Sequence, residues 1–350
     1  MSAIHSSRLH FLKQLAALPL AALLPSMALS NLRSSNGLKP RRLRTGDTVG
    51  LINPAGPTWH PVDIEIVEEI LAALDLKVKR GRHLLDRYGY LAGKDADRAA
   101  DVNQMFADTS VDALLAVRGG WGCNRILPLL DYDLIRRNPK VIMGYSDITG
   151  LLLAIYARTG LVTFHGPVGI STWNDFSVDL FRRILFEGQT PTLRNPGKPE
   201  DELAQTENRV QTITPGQAQG IMVGGNLSVL TAMLGSPYLP DWKGKILFLE
   251  EVDEKIYRVD RMLTQLRLAG VLDEIAGLVF GKCTNCGPGD SYGSLTLEEV
   301  LNDHLLELKV PAWYGAMIGH ITDKFTVPLG IQVRIDAGEG SIRMLEPAVT

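Results

Sequence analysis

Three cysteines in 350 residues are too few to staple a chain of this length, so a disulfide scaffold is excluded. No run of eighteen or more apolar residues occurs, which leaves no comfortable membrane span. Neither G-x-G-x-x-G nor a P-loop pattern is present, so the signal for a bound nucleotide is weak. The formal net charge of −3 lacks the basic balance of a nucleic-acid binder. What remains is ordinary. With 45% apolar and 21% charged residues the chain has a core to bury and is no disordered regulator, and its length points to two domains.

The small net charge hides an asymmetry. Residues 1–45 hold seven basic side chains and no acidic one, leaving 29 basic against 39 acidic residues in the body. Arg8 and Lys13 precede the apolar stretch Leu15–Leu24, which is followed by Pro25, Ser26 and the small-residue pattern Ala28-Leu29-Ser30. A charged start, a short apolar segment and a small-residue cleavage site predict a secretory signal over 1–30. Ser7-Arg-Leu-His-Phe-Leu-Lys13 is similar to a twin-arginine signal, but Leu9 stands where the second arginine belongs. Residues 31–45 read as a polar connector. The expectation is an exported, periplasmic protein, with no stable membrane insertion once the leader is removed.

From Gly46 onward, short apolar runs alternate with helical patterns. Thr48–Asn53, Ala113–Val117 and Lys140–Met143 read as strands that stop at turns, and Val62–Leu74, Ala99–Phe106 and Leu151–Ala157 as helices. Such repetition predicts a parallel sheet with covered faces, forming an N-terminal α/β domain over 46–171. The polar, breaker-rich segment around Asn195-Pro-Gly-Lys-Pro-Glu-Asp-Glu202 predicts a linker over 172–212. A mixed α/β domain follows over 213–350. Its expected strands are Lys245–Leu249 and Ala276–Phe280, its helices Arg258–Ala269 and Leu297–Leu308, and its end a hairpin of Gln332–Ile335 and Ser341–Leu345.

Functional residues in parallel α/β sheets collect at the carboxyl ends of strands. Ser146 sits there, in the strand-to-helix turn Gly144-Tyr-Ser-Asp147, much like a nucleophile elbow, although Ile148 replaces the second glycine of G-x-S-x-G. The plainer reading makes Ser146 or Asp147 a helix cap. A serine nucleophile needs a base, and five histidines lie beyond the leader. His60 and His83 lie in polar loops, and His304 reads as a surface residue beside Asp303. His165 and His320 both follow apolar runs, and composition does not choose between them. Glu250 and Glu251 end the strand 245–249, while Asp253 and Glu254 read as a solvated turn. Arg118-Gly-Gly-Trp-Gly122 ends another strand, and glycine amides there are candidates for an oxyanion hole. Cys283-Thr-Asn-Cys286 has no second pair and no nearby histidine to complete a zinc site, so no metal is assigned; a disulfide and two ordinary thiols both stay open.

Taken in order, Val117-Arg-Gly-Gly-Trp-Gly122, Gly144-Tyr-Ser-Asp147, Gly224-Gly-Asn-Leu227, Leu249-Glu-Glu-Val-Asp-Glu254 with Tyr257–Leu263, and Gly319-His320 resemble the LD-carboxypeptidases, serine peptidases that trim murein tetrapeptides. The resemblance runs from about 46 to 345. It implies a triad of Ser146 as nucleophile, His320 as base and Glu250 as the orienting carboxylate, in a cleft between the two domains, and it decides for His320 over His165. Glu251 stands where the family often has Asp. Backbone amides of Gly119, Gly120 and Asp147 become the oxyanion-hole candidates. The implied reaction releases D-alanine from a murein stem tetrapeptide, without metal or cofactor, and the family also implies a homodimer. Two other readings stay in view: a self-immunity amidase of the same family acting on a microcin, a peptide–nucleotide antibiotic, and a non-catalytic, two-lobed exported binding protein.

Overall fold

The computed structural model describes residues 37–197, 204–289 and 293–350. The expected leader over 1–30 and the first part of the connector lie outside the described residues. The rest of that connector is not loose: Leu43 is buried and its amide donates to the Leu185 carbonyl, while Arg42 and Thr350 are joined by a backbone hydrogen bond. No helix among the described residues is long and apolar enough to cross a membrane.

Among the described residues fourteen strands form two sheets. In chain order they are β1 (Thr48–Ile52), β2 (Lys77–Arg80), β3 (Ala113–Ala116), β4 (Val141–Gly144), β5 (Thr163–His165), β6 (Thr192–Arg194), β7 (Gln211–Thr214), β8 (Gln217–Asn226), β9 (Ile246–Val252), β10 (Gly277–Thr284), β11 (Ala312–Tyr314), β12 (Val327–Leu329), β13 (Gln332–Asp336) and β14 (Ser341–Met344). The first sheet has the order β12-β5-β4-β3-β1-β2, and the second β6-β14-β13-β8-β9-β10-β11-β7. The class is α/β, as expected. Strands β1 to β5 pair in parallel, and their central members are apolar throughout because helices cover both faces. The C-terminal hairpin is β13 and β14.

Two departures matter. The first sheet is not wholly parallel or wholly N-terminal: β12 comes from the far end of the chain and pairs antiparallel with β5, Val327 opposite His165. The segment 172–212 also carries fixed structure. Helix Asp175–Phe181 buries Leu180 and Phe181, and β6 pairs with β14 at the edge of the second sheet. The breakers at 195–197 dominate the sequence pattern there and mask both elements.

Helix Ile148–Thr159 packs against β4 and β5 of the first sheet and β8 of the second. Every residue from Ile148 to Ile155 is buried, so the helix is apolar all round, as a helix covered on all sides must be. Gly225 of β8 makes the close approach possible, since a Cβ there would collide with the Thr149 side chain. The Asn226 amide then donates to Thr149 Oγ1 at 2.9 Å. This helix starts at the elbow that carries Ser146, and it is the shared wall of both sheets.

Candidate active site

Ser146 has φ +64°, a left-handed conformation rare for a residue other than glycine, and one kept where neighbouring structure over-determines it. The neighbours are visible. A Cβ on Gly144 would press on Ile148, and one on Gly119 would lie 2.8 Å from Ser146 Cβ and 3.0 Å from its Oγ. Only glycine at both places lets the turn tighten against the β3 loop. Asp147 occupies the N-cap position of helix Ile148–Thr159 but makes no side-chain capping hydrogen bond: its carboxylate accepts instead from the Cys123 amide at 2.8 Å, tying the loop after β3 to the elbow. The amides of Gly119, Gly120 and Asp147 donate to no acceptor among the described residues.

Facing the elbow, the loop after β11 brings His320 Nε2 to 2.9 Å from Ser146 Oγ. His320 Nδ1 lies 2.9 Å from Glu250 Oε2. Glu250, near the end of β9, is fully buried, and its other oxygen has no partner among the described residues. Gly319 precedes the histidine with φ +129°, and a Cβ there would stand 3.0 Å from Glu250 Oε2. The three residues singled out in the sequence thus form one hydrogen-bonded row. An imidazole so held can take a proton from the hydroxyl, and the carboxylate fixes its tautomer and can balance the positive charge that follows.

His165, the competing base, is near enough to Glu250, His320 and Lys324 to feel their charges but makes no hydrogen bond to Ser146. It lies at the end of β5 with its ring edge-on to Phe248 and Tyr145, and neither ring nitrogen has a hydrogen-bond partner among the described residues. Burial pushes its pKa down to about 4, with Glu250 pulling the other way, so the ring is neutral near pH 7 and does not touch Ser146. His304 departs from the surface reading: it is buried against helix Ile256–Leu268, with Nε2 at 2.7 Å from Asp260. Asp253 and Glu254 do form a polar turn, accepting from Asn285 and Arg258.

Glu251 is buried beside Glu250, and desolvation first, with the neighbouring carboxylate, pushes its pKa to about 7. It accepts from the Val252 amide, the Asn226 side chain and the Ser228 amide, pinning the helix that begins at Leu227. Cys283 and Cys286 are disulfide-bonded, and Cys123 is buried. A cavity of about 520 Å³ lies next to the elbow, lined by Gly56, Trp59, Tyr90, Arg118, Gly120 and Trp121. Two residues were given no role of their own from the sequence. Tyr145 packs edge-on against His320 with centroids 4.9 Å apart, and Lys324 sets its ammonium 5.3 Å from the centroid of the same Tyr145 ring.

Comparison with known proteins adds the lineage. Residues 49–166 match the model of the LD-carboxypeptidase N-terminal domain, and residues 219–335 that of the C-terminal domain. The chain belongs to the LD-carboxypeptidase family. It is 42% identical over 303 residues to the probable murein peptide carboxypeptidase of Bacillus subtilis, covering 86% of this chain and 92% of that one. It is 30% identical to the microcin C7 self-immunity protein MccF of Escherichia coli, over 89% of this chain and 97% of that one. The structure of MccF in complex with glutamyl sulfamoyl guanosine superposes with a TM-score of 0.80 at 29% identity, covering 89% of this chain and all of that one. For the muramoyltetrapeptide carboxypeptidase of Oxalobacter formigenes the TM-score is 0.72 at 26% identity, over 85% and 97% of the two chains. As an LD-carboxypeptidase family member the chain has β1 to β5 within the first matched segment, bar one end residue, and most of β8 to β13 within the second, while β6, β7 and β14 lie outside both and β12 crosses to the first sheet.

Proposed function

We propose that this protein is a serine-type LD-carboxypeptidase that releases terminal D-alanine from a murein stem tetrapeptide through an acyl-enzyme. The observation that carries the reading is the row Ser146–His320–Glu250, with both links at 2.9 Å, at the tip of a strained elbow. His320 takes the Ser146 proton as Oγ attacks the carbonyl of the penultimate residue, and then gives that proton to the departing amine of D-alanine. Water, activated by the same imidazole, releases the shortened peptide and restores Ser146. Glu250 accepts from Nδ1–H and balances the imidazolium. The amides of Gly119, Gly120 and Asp147, which donate to no acceptor among the described residues, are the donors we assign to the tetrahedral oxyanion, a contribution of about 3–4 kcal/mol per donor in such sites. Residues 46–171 supply the nucleophile and 213–350 the acid–base pair, which is the domain division we adopt.

The test is D-alanine release from purified murein tetrapeptide by the wild type and Ser146→Ala. Loss of release in the variant is expected, and equal release by the two would sink the assignment. Cleavage of a peptidyl sulfamoyl nucleotide in preference to the tetrapeptide would move the chain to the self-immunity reading, and binding without turnover of either to the binding-protein reading. Export belongs to the same proposal. Its supports are the leader pattern at 1–30 and a disulfide at Cys283–Cys286, which suits an oxidising compartment. A mature protein beginning near residue 31 in the periplasmic fraction is the expected result, and sedimentation of that material checks for a homodimer.

A further inference from the structure

A carboxypeptidase must recognise the free carboxylate that ends its substrate, and the row Ser146–His320–Glu250 contains no permanent cation to do so. The place to look follows from the chemistry. His320 Nε2 returns the proton to the departing amine, so the leaving amino acid and its carboxylate lie on the His320 side of the nucleophile.

Lys324 is on that side, four residues after His320. Its ammonium sits 5.3 Å from the centroid of the Tyr145 ring, the ring that packs edge-on against His320. The residue is only 4% exposed, and its backbone is fixed by a hydrogen bond from its amide to Ser177 Oγ. Among the described residues Nζ has one hydrogen-bond partner, the Thr322 carbonyl at 3.4 Å, and no carboxylate within ion-pair distance. Asp323, next in the chain, is held by the Asn174 side chain instead. Burial pushes the ammonium's pKa down to about 8, which still leaves it protonated near pH 7. An ammonium buried with one long hydrogen bond, and with Asp323 acting on it only through charge from beyond ion-pair distance, is costly, and an arriving anion would offset that cost. Arg118, the competing cation, lines the cavity beside Gly120, donates through Nη1 to the Pro57 carbonyl and leaves a buried Nε without a partner among the described residues, so it serves as the control in the test below.

We propose that Lys324 binds the terminal carboxylate of the leaving amino acid and thereby confines the enzyme to chain ends. This rests on the carboxypeptidase reading above. Nothing in the sequence pattern marks the position, because the lysine stands among polar residues of a loop and only the fold brings it to Tyr145.

The experiment compares kcat/KM for the tetrapeptide with a free C-terminal carboxylate and for the same peptide as its C-terminal amide, in the wild type, Lys324→Met, Lys324→Gln, Lys324→Arg and Arg118→Met. The acid-to-amide ratio is expected to fall about 30-fold or more in Lys324→Met and Lys324→Gln, chiefly through KM for the acid, and to fall least in Lys324→Arg. A ratio unchanged in Lys324→Met or Lys324→Gln, in protein that melts like the wild type, overturns the proposal, as does a collapse of the ratio in Arg118→Met alone. Should the methionine variant not fold, the glutamine and arginine variants read the same ratio. Binding of the two peptides to Ser146→Ala, with and without Lys324→Met, separates the two readings. Preferential binding of the acid that depends on Lys324 supports the carboxylate site even where wild type releases no D-alanine, whereas release without such a preference leaves the reaction standing and removes the site.

Discussion

Glu250 shows how much a single side chain is asked to do. It is fully buried, gives one oxygen to His320 and leaves the other without a partner. Glu250→Gln keeps the shape but can present an N–H to Nδ1, which favours the tautomer with the proton on Nε2, where it cannot accept from Ser146. We expect kcat to fall by about 10³–10⁴-fold with the thermal melt little changed; steady-state kinetics beside a melting curve check both halves. At this scale much was legible. Ser146 and Glu250 stand at strand ends, and motif order singled out His320. What stayed hidden were residues whose surroundings are built from distant segments. His304 reads as a polar helix position yet is covered by helix Ile256–Leu268, and Lys324 reads as one more loop lysine.

Among the elements, helix Ile148–Thr159 and β8 meet through glycine. Gly225 has φ +148° and no room for a Cβ beside Thr149, whose hydroxyl accepts the Asn226 amide. Gly225→Ala should therefore lower stability by about 2–3 kcal/mol through overpacking and backbone strain, read as a shifted urea midpoint at unchanged slope. It should also lower kcat, because Thr149 lies one turn from Ser146. The sequence pattern finds this helix only over 151–157, since a helix apolar on every side has no amphipathic period to mark its ends. Strand β2, Lys-Val-Lys-Arg, is missed for the opposite reason: an exposed edge strand has no apolar run to show.

For the molecule as a whole, burial of a neutral histidine between the sheets links stability to pH. The pKa of His165 is about 4 in the fold and near 6.5 in the unfolded chain, so below pH 6.5 the unfolded state binds the extra proton. The stability this ring permits is complete above pH 6.5 and is lost as the pH falls toward 4, by roughly 3 kcal/mol from this residue alone. Urea melts of the wild type and His165→Phe at pH 4.5 and 7.5 should differ in slope with pH, with the phenylalanine variant losing less on acidification. Parallel slopes would show that the ring is not buried in its neutral form. The α/β class and the two halves were readable from periodicity, but the arrangement of the sheets was not, because pairing between β5 and β12 joins residues with no local signature of each other.

That pairing has a consequence in time. Synthesis delivers β5 roughly 160 residues before β12, a delay of about ten to thirty seconds at ordinary elongation rates. Throughout that wait the backbone edge of β5, beside the elbow, has no strand to complete it and is open to pairing with another chain. The half that bears the nucleophile is therefore made first yet stays open until β12 arrives, and a nascent chain arrested before residue 327 holds the serine beside an unsealed sheet.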